Sequence, residues 1–254
     1  MKQDAVREEQ IVRYVLKVRR TQPRVGGKKL HRMINESEDI EFSVGRDYLF
    51  DVLRDHGLLV VRKKNYVKTT NSVHRFKKHK NLIKDMEEIG PEEVLVSDIT
   101  YVDTEEDYGY LFLITDYATR RIMGHYFSHD LTAKSGVKAL KRAIKKLKDP
   151  QGTIHHSDRG LQYCCEKYTS LLERNNMGIS MTEEDHVYEN SLAERVNGIL
   201  KQEFLLGERI PSLKIAKKMV EEAIYIYNHE RLHTSLNYQT PMEYYDEYKL
   251  KYVA

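Results

Sequence analysis

The sequence has only two cysteines among its 254 residues, Cys164 and Cys165, and they are adjacent. Adjacent thiols do not provide a disulfide framework, and two are too few for a zinc site made of four cysteines. We therefore predict that both are reduced packing residues, because free cysteine usually behaves as a small buried hydrophobe.

Long apolar runs are also absent, and none approaches the roughly 18 residues that a membrane-spanning helix needs. The opening MKQDAVREEQ is too charged for a secretory signal peptide. With 40% hydrophobic and 32% charged residues, the composition is ordinary for a globular protein, and the length suits one or two domains. We expect a cytoplasmic protein that does not contact a membrane.

Positive charge is concentrated in the first third of the chain. Residues 1–90 contain 21 Lys and Arg against 13 Asp and Glu, a net charge of +8, whereas the remainder has 21 against 26, a net charge of −5. This asymmetry indicates a front part that holds a polyanion and a back part that holds cations. A solvated basic surface is the alternative that charge alone leaves open.

Apolar periodicity predicts three helices near the start. Two of them cover residues 5–20 and 28–35, and the third runs from Ser43, a candidate N-cap, to the stop signal Gly57. Two short helices joined by a polar connection are compatible with a helix-turn-helix, with Arg46 as a candidate DNA contact. Charged helical hairpins that bind no DNA are also common, so this segment leaves both interpretations open.

Residues 61–90 form a predicted basic linker that ends at the Gly90-Pro91 pair. Cations neutralise phosphates and aromatic rings stack on exposed bases, so we predict that this linker follows a nucleic-acid backbone. A solvated hinge is the alternative. The candidate phosphate contacts are Arg62, Lys63, Lys64, Arg75, Lys77 and Lys78.

After Pro91, three strand-like segments with short connections are followed by alternating helices and strands. This order predicts an α/β fold, a mixed sheet with helices on its faces. The predicted strands are residues 94–103, 110–119, 121–128, 153–156 and 177–181, and a helix is predicted over 132–148.

Three carboxylates from distant positions are the candidate catalytic residues. Asp98 lies in the first strand, Asp158 follows the fourth strand, and Glu194 lies on a later helix. Converging carboxylates on rigid elements suit a pair of hard divalent cations. Each of the three, taken alone, is more often a capping, turn or surface residue.

The predicted helix around Glu194 carries a polar stripe. Asn190, Glu194, Asn197 and Lys201 recur at spacings of four, three and four, so they lie on one face. A carboxylate on this stripe can point into a site while the amine of Lys201 reaches a neighbouring phosphate. An ordinary polar surface is the alternative.

Residues beside Asp158 are further candidates. His155 and His156 precede this carboxylate and either orient it or contact DNA, and Arg159, which follows it, is a candidate DNA contact. Packing of the histidines in the strand end is the alternative.

Three motifs carry a resemblance to a known family. VSDITYV, HSDRGLQY and YENSLAERVNGILKQE, in this order and spacing, resemble the Asp-Asp-Glu signature of the retroviral-integrase superfamily. More specifically, the chain resembles the OrfB transposases of bacterial insertion sequences, whose C-terminal signature is similar to YNHERLHTSLNYQTPMEY. Leu95 stands where that family often has Trp, and Glu189 where it often has Asp, and neither departure removes a ligand.

The resemblance implies an RNase H-like core in which Asp98, Asp158 and Glu194 bind two Mg²⁺ or Mn²⁺ ions. It implies DNA cleavage and strand transfer by in-line displacement without a covalent protein–DNA intermediate. The further candidate DNA contacts are Asn190, Asn197, Lys201, Arg231 and His233. The expected domains are a helix-turn-helix segment (1–60), a basic linker (61–90), the catalytic core (91–206) and a C-terminal helical extension (207–254).

The partners that the resemblance implies are double-stranded DNA, as element ends and as target, and further copies of the chain assembled on that DNA. Such proteins work at the bacterial nucleoid and are often made as a frameshift fusion with an upstream helix-turn-helix protein. A stand-alone nuclease and a non-catalytic DNA-binding regulator are the rivals. The front segments and the C-terminal signature argue against the first rival, and three mutually repelling carboxylates argue against the second.

Overall fold

The computed structural model describes residues 2–61, 75–183 and 190–252. Its contacts divide the chain into two compact units. The first comprises Met1–Asn65 with Gln202–Leu205, and the second comprises Tyr66–Lys201 with Leu206–Ala254. The four predicted domain ranges stay a prediction.

Residues 2–61 of the first unit form three helices close to the predicted positions, α1 (Lys2–Val18), α2 (Gly27–Glu36) and α3 (Arg46–Asp55). Their apolar stripes pack together because each helix has one hydrophobic face to bury. The largest side chains that this core buries completely are Ile11, Leu30, Ile34, Leu49 and Leu53.

The start of α3 corrects one prediction. Gly45 is the N-cap, so the prediction of Ser43 was wrong. The cause is tertiary: the Asn35 side chain accepts a hydrogen bond from Val44 N at 2.9 Å and donates one to Val44 O at 3.0 Å, which holds the chain extended there. The stop signal is confirmed, since Gly57 follows α3 with a φ of +64°.

The second unit is built on a five-stranded sheet of order β3-β2-β1-β4-β5. Strand β1 pairs antiparallel with β2 and parallel with β4, so the predicted mixed sheet is confirmed. The strands are β1 (Val94–Asp103), β2 (Tyr108–Asp116), β3 (Ile122–Ser128), β4 (Ile154–Ser157) and β5 (Gly178–Met181).

Helices cover both faces of this sheet. The remaining helices of the described chain are α4 (Ala133–Ile144), α5 (Leu161–Cys164), α6 (Glu166–Arg174), α7 (Ser191–Glu203), α8 (Leu213–His229) and α9 (Pro241–Tyr252). Strand side chains alternate between faces, so Leu95 and Ile99 pack in the main core with residues of α4, α5 and α6. Val94 and Val96 pack instead with Ala193 of α7. Asp98 comes two residues after Val96, so it lies on the same face of the sheet as Val94 and Val96.

Strand β2 ends earlier than predicted because Asp116 forms a turn. One Asp116 carboxylate oxygen accepts hydrogen bonds from Thr119 N and Thr119 Oγ1, both at 2.7 Å. Such a local side-chain bond to the backbone gives the chain an alternative to the strand ladder. Helix α4 is also shorter than predicted, beginning after its N-cap Thr132.

The C-terminal signature packs against the sheet. Asn228 accepts a hydrogen bond from Ile122 N at 2.9 Å and donates one to Ile122 O at 3.1 Å, which fixes the first residue of β3. Thr240 and Glu243 exchange side-chain and backbone hydrogen bonds at the start of α9, where Pro241 is the first helical residue. This is a capping box with proline at its preferred position.

Both cysteines are free, Cys164 is buried with its Sγ 3.6 Å from Met181 Sδ, and Cys165 is half-buried. The predicted packing role is therefore confirmed. Across residues 2–61, 75–183 and 190–252, no helix combines the length and the apolar character that crossing a membrane demands.

Candidate active site

Two of the three candidate carboxylates belong to neighbouring strands, because Asp98 lies within β1 and Asp158 directly follows β4. Ser97 of β1 is paired with Ser157 of the parallel strand β4, so Asp98 and Asp158 are the next residues after the last pair of this ladder. Burial raises the pKa of Asp98 to about 7, and repulsion from Asp158 and then from Glu194 adds to this rise. The sheet thus holds two mutually repelling carboxylates side by side.

Hydrogen bonds hold Asp98 in place. Asn197 Nδ2 donates to one oxygen of Asp98 at 2.7 Å, and Ile99 N donates to the other at 2.8 Å. Donors to the charged form favour ionisation, so both bonds oppose the rise of the Asp98 pKa. Asn197 is buried on α7, and this bond therefore joins the helix of Glu194 to the first strand.

Glu194 lies in the first turn of α7, with much of its side chain exposed. Partial desolvation raises the pKa of Glu194, and repulsion from Asp158 raises it further. Each of the three carboxylates therefore interacts electrostatically with the other two.

The donor chemistry of this site fits a hydrated divalent cation. Carboxylate oxygens are the ligands that Mg²⁺ prefers, and Mg²⁺ usually keeps several of its waters. Buried polar atoms beside the carboxylates can bind such waters, because Asn190 Oδ1, Asn197 Oδ1 and the Tyr163 hydroxyl have no hydrogen-bond partner within the described chain. The described residues nevertheless contain no group of three or more His, Cys, Asp or Glu that is arranged to hold a metal ion.

A neutral polar network lies beneath the carboxylates. His155 Nε2 is 2.6 Å from Ser97 Oγ and 2.9 Å from the Tyr168 hydroxyl. Burial, with a contribution from His156, lowers the pKa of His155 to about 3, so this ring is neutral. The network links β1, β4 and α6. Sequence reasoning missed Ser97 and Tyr168, although a serine directly precedes each aspartate in VSD and HSD.

His156 is fully buried on the opposite side of β4, with Nδ1 2.8 Å from Ser180 Oγ. The same hydroxyl accepts a hydrogen bond from Leu82 N at 2.8 Å. Both histidines are thus packed in the strand end, and a DNA contact by His156 stays a prediction that its burial does not favour.

Comparisons with known proteins agree with this geometry. Profiles of the integrase core domain family match residues 89–186 and 175–241. A 31 kDa protein of insertion element IS600 from Shigella sonnei is 33% identical over 231 residues, which cover 90% of this chain and 84% of that protein. Transposase InsF of insertion sequence IS3A from Escherichia coli K12 is 32% identical over 184 residues, 72% of this chain and 64% of that relative. The chain belongs to the IS3 family of insertion-sequence transposases.

A solved structure that aligns over most of this IS3-family chain shows its fold. A chain of the simian T-cell lymphotropic virus intasome, in complex with a PP2A regulatory subunit, aligns with a TM-score of 0.52 and 16% identity over 90% of this chain and 73% of that chain. The catalytic core domain of HTLV-2 integrase, solved in complex with magnesium, aligns with a TM-score of 0.48 and 17% identity over 60% and 95%. The predicted RNase H-like integrase fold is confirmed.

Lys201 lies beside the carboxylates of the IS3-family core. Its Nζ is 3.6 Å from the centroid of the Tyr101 ring, a cation–π contact. Burial lowers the pKa of Lys201 to about 8, and attraction by Asp98 opposes this decrease. The amine therefore remains largely cationic at neutral pH and close to Asp98.

The remaining predicted contacts occupy different environments. Asn190 is buried and donates to Ser97 O at 3.0 Å, and Arg231 and His233 are buried around Tyr227. Their roles as DNA contacts stay predictions. The partly or fully exposed candidates are Arg46, Arg75, Lys77, Lys78 and Arg159, whereas Arg62, Lys63, Lys64 and also Glu189 lie outside the described residues.

Proposed function

We propose that this IS3-family chain catalyses divalent-metal-dependent DNA strand cleavage and strand transfer at the ends of an insertion element. The observation that carries the proposal is the placement of the carboxylates on an integrase core: the β1–β4 register brings Asp98 beside Asp158, and the bond from Asn197 joins the helix of Glu194 to Asp98. Carboxylates that repel one another have a physical use when cations neutralise them. Membership of the IS3 family supports a role in DNA transposition, and the three carboxylates support metal-dependent phosphoryl transfer.

Asp98, Asp158 and Glu194 are the residues that would hold two Mg²⁺ or Mn²⁺ ions. When bound, such a pair stabilises the attacking and leaving oxygens of an in-line displacement at phosphorus. Asn197 orients Asp98 and favours its ionised form through the 2.7 Å hydrogen bond. No protein nucleophile is required, so we expect no covalent bond between the protein and DNA.

Lys201 is proposed to bind a phosphate next to the reacting one. Its ammonium contacts the Tyr101 ring and is attracted by the Asp98 carboxylate, so it lies at the edge of the site. The partly or fully exposed cations are proposed to contact the DNA backbone, and they are Arg46, Arg75, Lys77, Lys78 and Arg159. Arg62, Lys63 and Lys64 belong to the same proposal on sequence grounds. Double-stranded DNA is the proposed partner, with self-association on DNA and an upstream helix-turn-helix protein as further proposed partners.

The test is an end-cleavage and strand-joining assay with Mg²⁺ and DNA that carries the flanking element ends. We expect Glu194→Gln to bind DNA like the wild type and to slow both cleavage and joining by at least about 100-fold. Removing a residue that only supports a metal ligand typically costs less, about 10- to 100-fold. The matched control is Glu222→Gln, an exposed glutamate on α8, which should keep full activity.

Three outcomes would contradict the proposal. Wild-type rates in Glu194→Gln would remove this glutamate from the chemistry. Cleavage by the wild type without any joining would instead favour a stand-alone nuclease. A radiolabel transferred from DNA to the protein would contradict the absence of a covalent intermediate.

A further inference from the structure

Helix α4 and the turn after it carry charge of one sign only. Residues 133–148 contain seven Lys and Arg and neither Asp nor Glu, although residues 91–254 together have a net charge of −5. The side chains of all seven cations are exposed. They are Lys134, Lys138, Lys141, Arg142, Lys145, Lys146 and Lys148.

The cations follow one face of the helix. Lys134, Lys138, Lys141 and Lys145 are separated by four, three and four residues, so they form a stripe about 16 Å long at roughly 1.5 Å per residue. Like charges at these spacings destabilise a helix. The stripe therefore does not serve the stability of α4, and a ligand of opposite charge would remove its internal repulsion.

Few contacts neutralise this stripe. Lys138 Nζ donates to the Tyr126 hydroxyl at 2.8 Å, and Arg142 donates to His125 O at 3.0 Å and lies 3.9 Å from Glu221. For the stripe residues Lys134, Lys141 and Lys145, no ion pair is found within the described chain. Partial desolvation, followed by repulsion from Arg121 and Arg142, lowers the pKa of Lys146, so these positive charges are close enough to interact.

The start of α4 lies next to the candidate active site. Gln162 Nε2 donates a hydrogen bond to Leu131 O at 3.1 Å. Gln162 comes four residues after Asp158, and Leu131 comes two residues before α4. The segment that follows Asp158 therefore contacts the loop that leads into this cationic helix.

We propose that the exposed face of α4 binds the phosphate backbone of duplex DNA without regard to its sequence. Such DNA is the kind that serves as a strand-transfer target, so this inference rests on the proposed function. A lysine that contacts a phosphate as a point charge does not read the base, so we expect this surface to show no sequence preference. None of its residues belongs to the basic linker predicted at residues 61–90.

The test compares two triple variants of the full chain. Lys134→Gln, Lys141→Gln and Lys145→Gln together remove three of the four lysines of the stripe. Lys214→Gln, Lys217→Gln and Lys218→Gln remove the same charge from exposed positions on α8, where Glu221 and Glu222 follow at helical spacing. Affinity for a random-sequence duplex is measured as a function of salt concentration, and the Lys→Arg version of the α4 triple variant tests charge itself.

We expect the α4 variant to lose about tenfold or more in affinity and to reduce the slope of log affinity against log salt by about two to three, since each phosphate contact contributes about 0.9. The arginine version should restore both quantities, and the α8 variant should match the wild type. Strand transfer into a random target should fall with the affinity, while hydrolytic cleavage of an element end persists.

The proposal for α4 would be overturned if the α4 variant kept the wild-type affinity and salt slope, or if the α8 variant lost as much as the α4 variant. A wild type that does not bind the random duplex would also overturn it. The two proposals can fail separately. If the wild type cleaves and joins DNA while the α4 variant binds DNA normally, the proposed function stands and the proposal for α4 fails. A wild type that never joins DNA, together with a salt slope lost in the α4 variant, leaves the surface intact.

Discussion

The ionisation of Asp98 has a cost in the folded protein. Its pKa of about 7 lies above the ordinary value of 3.8, mainly because of burial and then because of repulsion from Asp158. The unfolded chain therefore releases this proton at a lower pH than the folded chain. Stability falls as the pH rises from about 4 to 7, and the full penalty is present above pH 7.

Replacement of Asp98 by asparagine should remove this penalty. Without divalent cations, Asp98→Asn should be more stable than the wild type at pH 8 by about 2 kcal/mol. A shift of one pKa unit corresponds to roughly 1.4 kcal/mol, and the expected gain is smaller than the full shift would give because the site is partly open to water. The advantage should disappear near pH 4. Urea unfolding at both pH values measures it, with Asp103→Asn on the same strand as control. A variant less stable than the wild type at pH 8 would contradict this explanation.

Asn197 is expected to act through Asp98. Asn197→Ala removes the donor at 2.7 Å that lowers the Asp98 pKa, so the acidic limb of the activity profile should move to higher pH. Loss of such a supporting bond should reduce the rate about 10- to 100-fold. Asn175→Ala, which removes a 2.7 Å bond to Leu171 O on α6, is the control. A uniform loss of rate with an unmoved pH profile would indicate a merely structural role.

At the scale of elements, the sequence predicts what local chemistry decides. The bounds of β1 were predicted correctly because its Val, Ile and Tyr residues favour a strand regardless of neighbours. The N-cap Ser43 was wrong because a distant residue, Asn35, holds the backbone that follows it. Sequence spacing placed Asn197 on the right stripe but did not show that its partner is Asp98, 99 residues earlier.

The bond between Asn228 and β3 should be important for stability. Both of its hydrogen bonds go to backbone atoms of Ile122, and the side chain is buried. Asn228→Ala should therefore cost about 1–3 kcal/mol, the usual penalty for leaving buried polar groups without partners. Urea unfolding measures this, with Asn228→Asp as the companion variant that keeps the acceptor and loses the donor. A cost below that of Asn175→Ala would contradict this role.

At the scale of the whole molecule, net charge did not indicate the cationic surface of α4. The acidic total of residues 91–254 hides the cationic helix α4, because summed charge does not show which residues share a face. Motifs and the resemblance to an integrase signature point to the three carboxylates, whose catalytic role stays a prediction. The buried network of Ser97, His155 and Tyr168 was not, since it depends on which side of each strand a residue occupies.

The central claim is that Asp98, Asp158 and Glu194 form one metal-dependent centre. The most direct measurement is the rate of strand joining against Mg²⁺ concentration, at saturating DNA, for the wild type and for Asp98→Asn, Asp158→Asn and Glu194→Gln. The wild-type rate should rise with Mg²⁺ and saturate, while each variant should be slower by at least about 100-fold with unchanged DNA affinity. Joining that needs no divalent cation, or a variant that joins at the wild-type rate, would contradict the claim.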